Sequence, residues 1–228
     1  MTLTDVLRDG NASLRVADGL RESILRGEYR PGDRIIQETL SSKFGGSRIP
    51  VREALRQLES EGLITLVANT GAWVSSLTMN ECSEIYQTRE RIEPLLLRYS
   101  ARNLNEEQLA LLDKNAKEME YSTGVEDFLK LDREFHLRSY QAAKTHTLGS
   151  LVPLLWNATQ PYRRAYTQLV GSRNRRIFHD EHHMIVTALS DGDTDLAEQT
   201  LALHIRRTRL HLERHPEIFV EVNNNNKE

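Results

Sequence analysis

The sequence has a single cysteine, Cys82, in 228 residues, which excludes an internal disulfide and any cysteine cluster for zinc. A bound metal would have to be held by histidine and carboxylate. Long apolar runs are also missing: a stretch such as Leu151 to Trp156, with Pro153 inside it, falls far short of the roughly 20 residues that span a bilayer. Asp5, Arg8 and Asp9 stand where a secretory signal needs an apolar core. A soluble, cytoplasmic chain with no membrane partner is expected. Nor is there an excess of positive charge. The formal net charge is −3, and residues 1–75 carry as many acidic as basic side chains, so a surface for nucleic acid must be a local patch.

What is present divides in two. Hydrophobic residues make up 39% of the chain, enough for two small cores at the usual domain size of roughly 100–150 residues. Over 14–26, Leu14, Ala17, Leu20, Ile24 and Leu25 recur at helical spacing, and Gly27 stops the helix. Pro31-Gly32 turns the chain into a short extended piece, a short helix follows around Glu38 to Phe44, and Gly45-Gly46 makes a turn. Val51 to Ile64 reads as an amphipathic helix with Val51, Ala54, Leu55 and Leu58 on one face. "LITLV" and "AWVSS" then read as two short strands around a turn at Asn69 to Gly71.

From Met79 onward the strand signal disappears. Helices are expected near 79–102, 105–121, 125–143, 146–170, 173–190 and 193–214, a six-helix bundle, with a polar, low-complexity tail over about 216–228 that ends in "NNNNKE" and is expected to be disordered. The predicted fold is therefore mainly α. A winged helix-turn-helix domain over 1–78 precedes an all-α bundle over 79–228.

The start of the third helix carries the first functional signal. Proline is tolerated in a first helical turn, whose N–H groups have no intrahelical partner, so Pro50 belongs to the start and Ser47 is placed to cap it with its hydroxyl. With Val51, Leu55 and Leu58 inward, Arg48 and Arg52 lie at the exposed N-terminal end, where the helix dipole also favours an anion. A solvated face is the ordinary fate of such arginines. Here a short helix, a glycine turn, a second helix presenting Ser and Arg, and a hairpin occur in the order of a winged helix-turn-helix, in which those residues reach base edges in the major groove.

The run "LRESILRGEYRPGDRIIQETLSSKFGGSRIPVREALRQLESEGLI....NTGAWV" resembles the N-terminal domain of the GntR superfamily of bacterial transcription regulators over about residues 13–75. That resemblance implies that Ser47, Arg48, Ile49, Pro50 and Arg52 contact bases or phosphates and that Gly71 lies at the wing tip. The sequence departs from the family at Gly46, where an apolar residue is usual, and at Glu38, where some branches place a DNA-contacting arginine.

The bundle carries the second signal. Its stripe over 125–139 runs Val125, Phe128, Leu129, Asp132, Phe135, His136, Ser139, so an acid and a histidine at i and i+4 interrupt an apolar face. The stripe Phe178, His182, Ile185, Leu189 and the stripe Ala197, Leu201, His204, Thr208 each bring one further inward histidine, whereas His183 points elsewhere. Taken singly, each histidine is an ordinary hydrogen-bonded core residue. Together, Asp132, His136, His182 and His204 form a candidate divalent-metal site, zinc first, with nickel or manganese as alternatives.

Residues 79–215 resemble the FCD ligand-binding domain of one GntR branch (FadR/VanR-like), in which a D-x3-H pair and two later histidines hold a metal; the six-helix count is nearer the VanR-type variant. By that resemblance "YQTRERIEPLLLRYSAR" places Arg89 where an arginine often binds the carboxylate of an effector, although Glu93 at i+4 offers it an ordinary intrahelical pair. The segment "KTHTL" stands where relatives often have an asparagine. The reading that follows is a homodimeric regulator, commonly a repressor, that binds double-stranded operator DNA and a small carboxylate effector. A regulator for which the ion itself is the signal, a metal-dependent hydrolase and an inert interaction bundle remain as alternatives.

Overall fold

The computed structural model describes residues 3–44, 47–171 and 175–219, with side chains from residue 12 onward. The expected Gly45-Gly46 turn and the "NNNNKE" tail lie outside them. Residues up to Leu77 form one compact unit and Thr78–Phe219 a second. The architecture is mainly helical with one small sheet.

In the first unit, α1 (Leu3–Leu25), β1 (Arg34–Ile35), α2 (Gln37–Phe44), α3 (Arg48–Ser60), β2 (Ile64–Val67) and β3 (Gly71–Val74) follow in order. The hairpin of β2 and β3 was expected, but the short extended piece proves to be its third strand: β1 pairs antiparallel with β3, giving the order β1-β3-β2. Val16, Ala17, Leu20 and Ile24 of α1 pack against Val51, Ala54, Leu55 and Leu58 of α3 and against Ile35, Ile64, Ala72 and Val74 of the sheet. Leu14, expected on the inward stripe, is exposed, because residues 16, 17, 20 and 24 set the axis of that stripe and position 14 falls to its flank. Arg21 on α1 clamps the far end of α3 through two bonds to Glu61, of 2.6 and 2.7 Å.

The third helix stops at Ser60, not at Ile64. Gly62 takes φ +73°, and the N–H of Leu63 bonds the carbonyl of Leu58 while that of Gly62 bonds Glu59, the pattern of a left-handed helix stop. The apolar rhythm through Leu63 and Ile64 belongs to the strand side of the same core. At the other end Ser47 is the N-cap by backbone geometry, yet its hydroxyl makes no capping bond, which corrects the expected side-chain cap.

The second unit holds, among the described residues, α4 (Met79–Ala101), α5 (Glu106–Tyr121), α6 (Val125–Ser139), α7 (Thr147–Val170), α8 (Arg176–Ser190) and α9 (Thr194–Glu213), with a short 3₁₀ turn at Pro216–Ile218. Capping boxes open α4 at Thr78 with Glu81 and α5 at Asn105 with Gln108. Helix α6 ends four residues earlier than the expected 143. Beyond Ser139 the N–H of Ala142 bonds the Ser100 hydroxyl of α4 at 3.2 Å and the Tyr140 hydroxyl reaches Glu93, so tertiary partners replace the last helical turn.

Candidate functional site

The exposed face of α3 presents Arg48, Ile49, Arg52 and Arg56, with Ser47 exposed ahead of them. None of the three arginines enters an ion pair among the described residues, so their charge faces solvent. Pro50 is different: it is buried, and its ring sets the first turn instead of offering a surface. On the wing, Gly71 opens β3 at φ +144°, a backbone open to glycine, and Asn69 takes φ 59° in the turn. Arg34 braces that turn by donating from Nη2 to the Thr70 carbonyl at 3.1 Å, with its guanidinium 5.8 Å over Trp73.

In the second unit the structure brings Asp132 and His136 of α6, His182 of α8 and His204 of α9 together, with one ligand atom from each within 4.8 Å of all the others. All four are buried. Asp132 Oδ1 lies 3.3 Å from His182 Nε2 and 3.8 Å from His136 Nε2. Helix α6 supplies the first two because residues four apart share a face.

The outward nitrogens decide the chemistry. His182 Nδ1 donates to the Phe178 carbonyl at 2.7 Å, one turn back on its own helix. His204 Nδ1 lies 2.9 Å from Glu181 Oε2, and His136 Nδ1 lies 3.4 Å from the Tyr140 hydroxyl, which itself donates to Glu93 at 2.7 Å. Each Nδ1 thus has an acceptor for its proton, which leaves the Nε2 lone pairs aimed inward. Burial keeps the rings neutral: His182 is pushed down to about 3, and His136 and His204 are held well below the ordinary histidine value, first by desolvation and then by the neighbouring imidazoles.

Neutral imidazoles with converging lone pairs are metal ligands in their binding form. His182 Nε2 and His136 Nε2 lie 3.2 Å apart. Two lone pairs that close repel each other unless they share a cation, and a tetrahedral ion with bonds of about 2.0–2.1 Å separates its nitrogens by about 3.3 Å. The donor set therefore fits a divalent ion.

Several neighbours escaped the sequence reading. Arg163 of α7 pairs with Asp132 through Nη2 and Oδ2, leaving Oδ1 toward the imidazoles. Glu181 orients His204 and also pairs with Arg207. Glu93, fully buried, accepts from Arg89 Nε at 2.5 Å, Tyr140 at 2.7 Å and Trp156 Nε1 at 3.1 Å. A signal for Arg163 was present in α7, where Thr159, Arg163 and Thr167 recur every four residues and are all buried. Arg89 is buried beside the cluster, its intrahelical pair with Glu93 is formed, and its Nη1 donates to Thr159 at 3.0 Å. His183, expected to point elsewhere, is half-buried and faces Glu120 at 3.3 Å.

Comparison with known proteins agrees with both halves. Residues 12–74 match the bacterial regulatory proteins of the gntR family, and residues 84–207, more than half the chain, match the FCD domain. The chain belongs to the GntR family. Among its relatives, the gluconate operon transcriptional repressor of Bacillus subtilis (strain 168) is 30% identical over 207 residues, spanning 86% of this chain and 82% of that protein. The Nta operon transcriptional regulator of Aminobacter aminovorans is 28% identical over 181 residues, 78% of this chain and 84% of the relative. The solved structure of E. coli McbR/YncC shares the fold, with a TM-score of 0.80 at 22% identity, covering 90% of this chain and 98% of that one. This GntR-family chain is a DNA-binding transcriptional regulator; the proteins it matches are regulators, not enzymes.

Proposed function

We propose that the protein is a homodimeric, cytoplasmic repressor whose operator affinity is set by a small organic acid bound beside a divalent metal in the second unit. The observation that carries the reading is the convergence of Asp132, His136, His182 and His204, all buried, with one ligand atom of each within 4.8 Å of the others. Zinc suits three imidazoles and a carboxylate best, and nickel or manganese are the alternatives. Such an ion supplies a Lewis-acidic anchor for an oxygen anion. The chain's own part is to fix the ligand rings through Phe178, Glu181 and Tyr140 and to exclude bulk water. Arg89 keeps its remaining N–H groups for the carboxylate of the acid.

On the DNA side, Ser47, Arg48, Ile49 and Arg52 face the major groove, Pro50 presets the first turn, and Gly71 brings the wing to the backbone. As a dimer, the protein would read the two halves of a two-fold operator with two copies of α3. The name of the gluconate operon repressor supports the sign of regulation. No helix among the described residues is long and apolar enough to cross a membrane.

A second reading, in which the ion itself is the signal, is favoured by the little room at the cluster: the voids beside it measure about 20 and 10 Å³. One set of measurements tests both. Elemental analysis of protein purified without chelators should find a divalent ion, lost in His136→Ala, and operator binding should respond to carboxylates in the metal-loaded wild type only. Operator affinity that follows free metal and ignores every acid would establish the second reading. Arg52→Ala should weaken operator binding by roughly 1–3 kcal/mol; an unchanged affinity would remove α3 from the groove.

A further inference from the structure

Helix α8 carries two histidines that the inward centre does not use. His179 and His183 stand four residues apart on it and so share a face, the spacing at which one helix offers two imidazoles to one metal ion. Helix α5 packs against α8, and its Glu120 places Oε2 3.3 Å from His183 Nε2. Burial lowers the pKa of His179, and the Glu120 carboxylate is near enough to oppose that shift. Yet His179 Nδ1 is buried without a hydrogen-bond partner, and its ring stands edge-on to Phe128 with 6.0 Å between centroids. An imidazole nitrogen buried with nothing to meet it is costly.

A half-turn of the ring about Cβ–Cγ removes that cost. The torsion is broad and roughly two-fold, so the turn keeps the ring plane against Phe128, puts a C–H at the buried edge and carries Nδ1 to the opposite one. Among the described residues, the inward four alone already hold their ligand atoms within reach of one ion, and the outer three need such a movement. We infer that His179, His183 and Glu120 hold a second divalent transition-metal ion, on the outside of the bundle and separate from the inward centre. Two imidazoles and a carboxylate suit zinc or nickel. The 3.3 Å between Glu120 Oε2 and His183 Nε2 matches the span across two bonds of about 2.0–2.1 Å at a tetrahedral ion. The side chains of His183 and Glu120 are part-exposed, so water completes the shell and the ion exchanges with solvent. Filled, the site fastens α8 to α5 at the residue that follows the inward ligand His182. The inference does not depend on the organic-acid reading.

The test is calorimetric titration of zinc into the full-length protein purified without chelators, its metal content measured beforehand. The wild type should take up about one further zinc per chain, and its melting point should rise over the same range of zinc concentration. His179→Gln and Glu120→Gln, on different helices, should each weaken that uptake about ten-fold or more without changing the metal content measured beforehand. His136→Ala should keep the uptake whatever metal it carries beforehand, so that failure of the inward centre and failure of the outer site are read separately. No further zinc in the wild type, unchanged uptake in either Gln variant, or loss of the uptake in His136→Ala overturns the inference.

Discussion

At the scale of single residues, the imidazoles of the bundle are controlled from their outward side. A backbone carbonyl, a carboxylate and a tyrosine hydroxyl each take one Nδ1 proton, and the inward nitrogens are left as bases that burial prevents from protonating. The pH dependence of stability follows. In the unfolded chain these histidines take a proton near pH 6.5, whereas in the folded chain His182 does so only near 3 and His136 and His204 well below 6.5. Between those limits the unfolded state binds more protons, so stability is full above about pH 6.5 and falls as the pH drops. For His182 alone the loss approaches about 1.4 kcal/mol per pH unit within the window. Urea unfolding of metal-free protein at pH 7.5 and 5.5 should show it; equal stabilities would mean that the rings are charged in the fold.

At the scale of elements, α3 is defined by its ends. Gly62 stops it in a left-handed conformation that any side chain finds strained, so Gly62→Ala should destabilise the full chain by about 1–2 kcal/mol in urea unfolding. No change would show that the stop is set by Arg21 and Glu61 instead. The same helix shows what could be read from sequence. Its inward face and the helical stripes of the bundle were legible because apolar spacing is local information, and so was the grouping of Asp132 with three histidines, since each histidine interrupts such a stripe. The end of α3 was not, because Leu63 and Ile64 continue the apolar rhythm while serving a strand. The early end of α6 depends on Ser100 and Glu93, some forty residues distant, and the pairing of Arg163 with Asp132 spans 31 residues. The spacing of Thr159, Arg163 and Thr167 marks an inward face of α7 but does not name the partner across the bundle.

At the scale of the whole molecule, the two units can influence each other only by a difference in affinity. A ligand that binds one state of the chain better than another shifts operator affinity by that difference, commonly about 1–3 kcal/mol, and DNA shifts ligand affinity by the same amount. The covalent path is short: β3 ends at Val74, Ser75 donates its N–H to the Leu63 carbonyl at 3.0 Å, and the capping box at Thr78 opens α4. Inserting a flexible Gly-Ser-Gly segment between Ser76 and Leu77 should leave metal content and the operator affinity of the ligand-free protein close to wild type, yet cut the ligand's effect on operator affinity, as read by fluorescence anisotropy. A full ligand effect in that variant would rule out the linker as the route.

The opening of α4 at Thr78 has a further consequence. Fifteen residues along the same rod sits Glu93, which receives the hydrogen bond handed on from His136 through Tyr140. A change in the protonation of that chain is therefore felt first by α4, the helix that the Thr78 capping box begins.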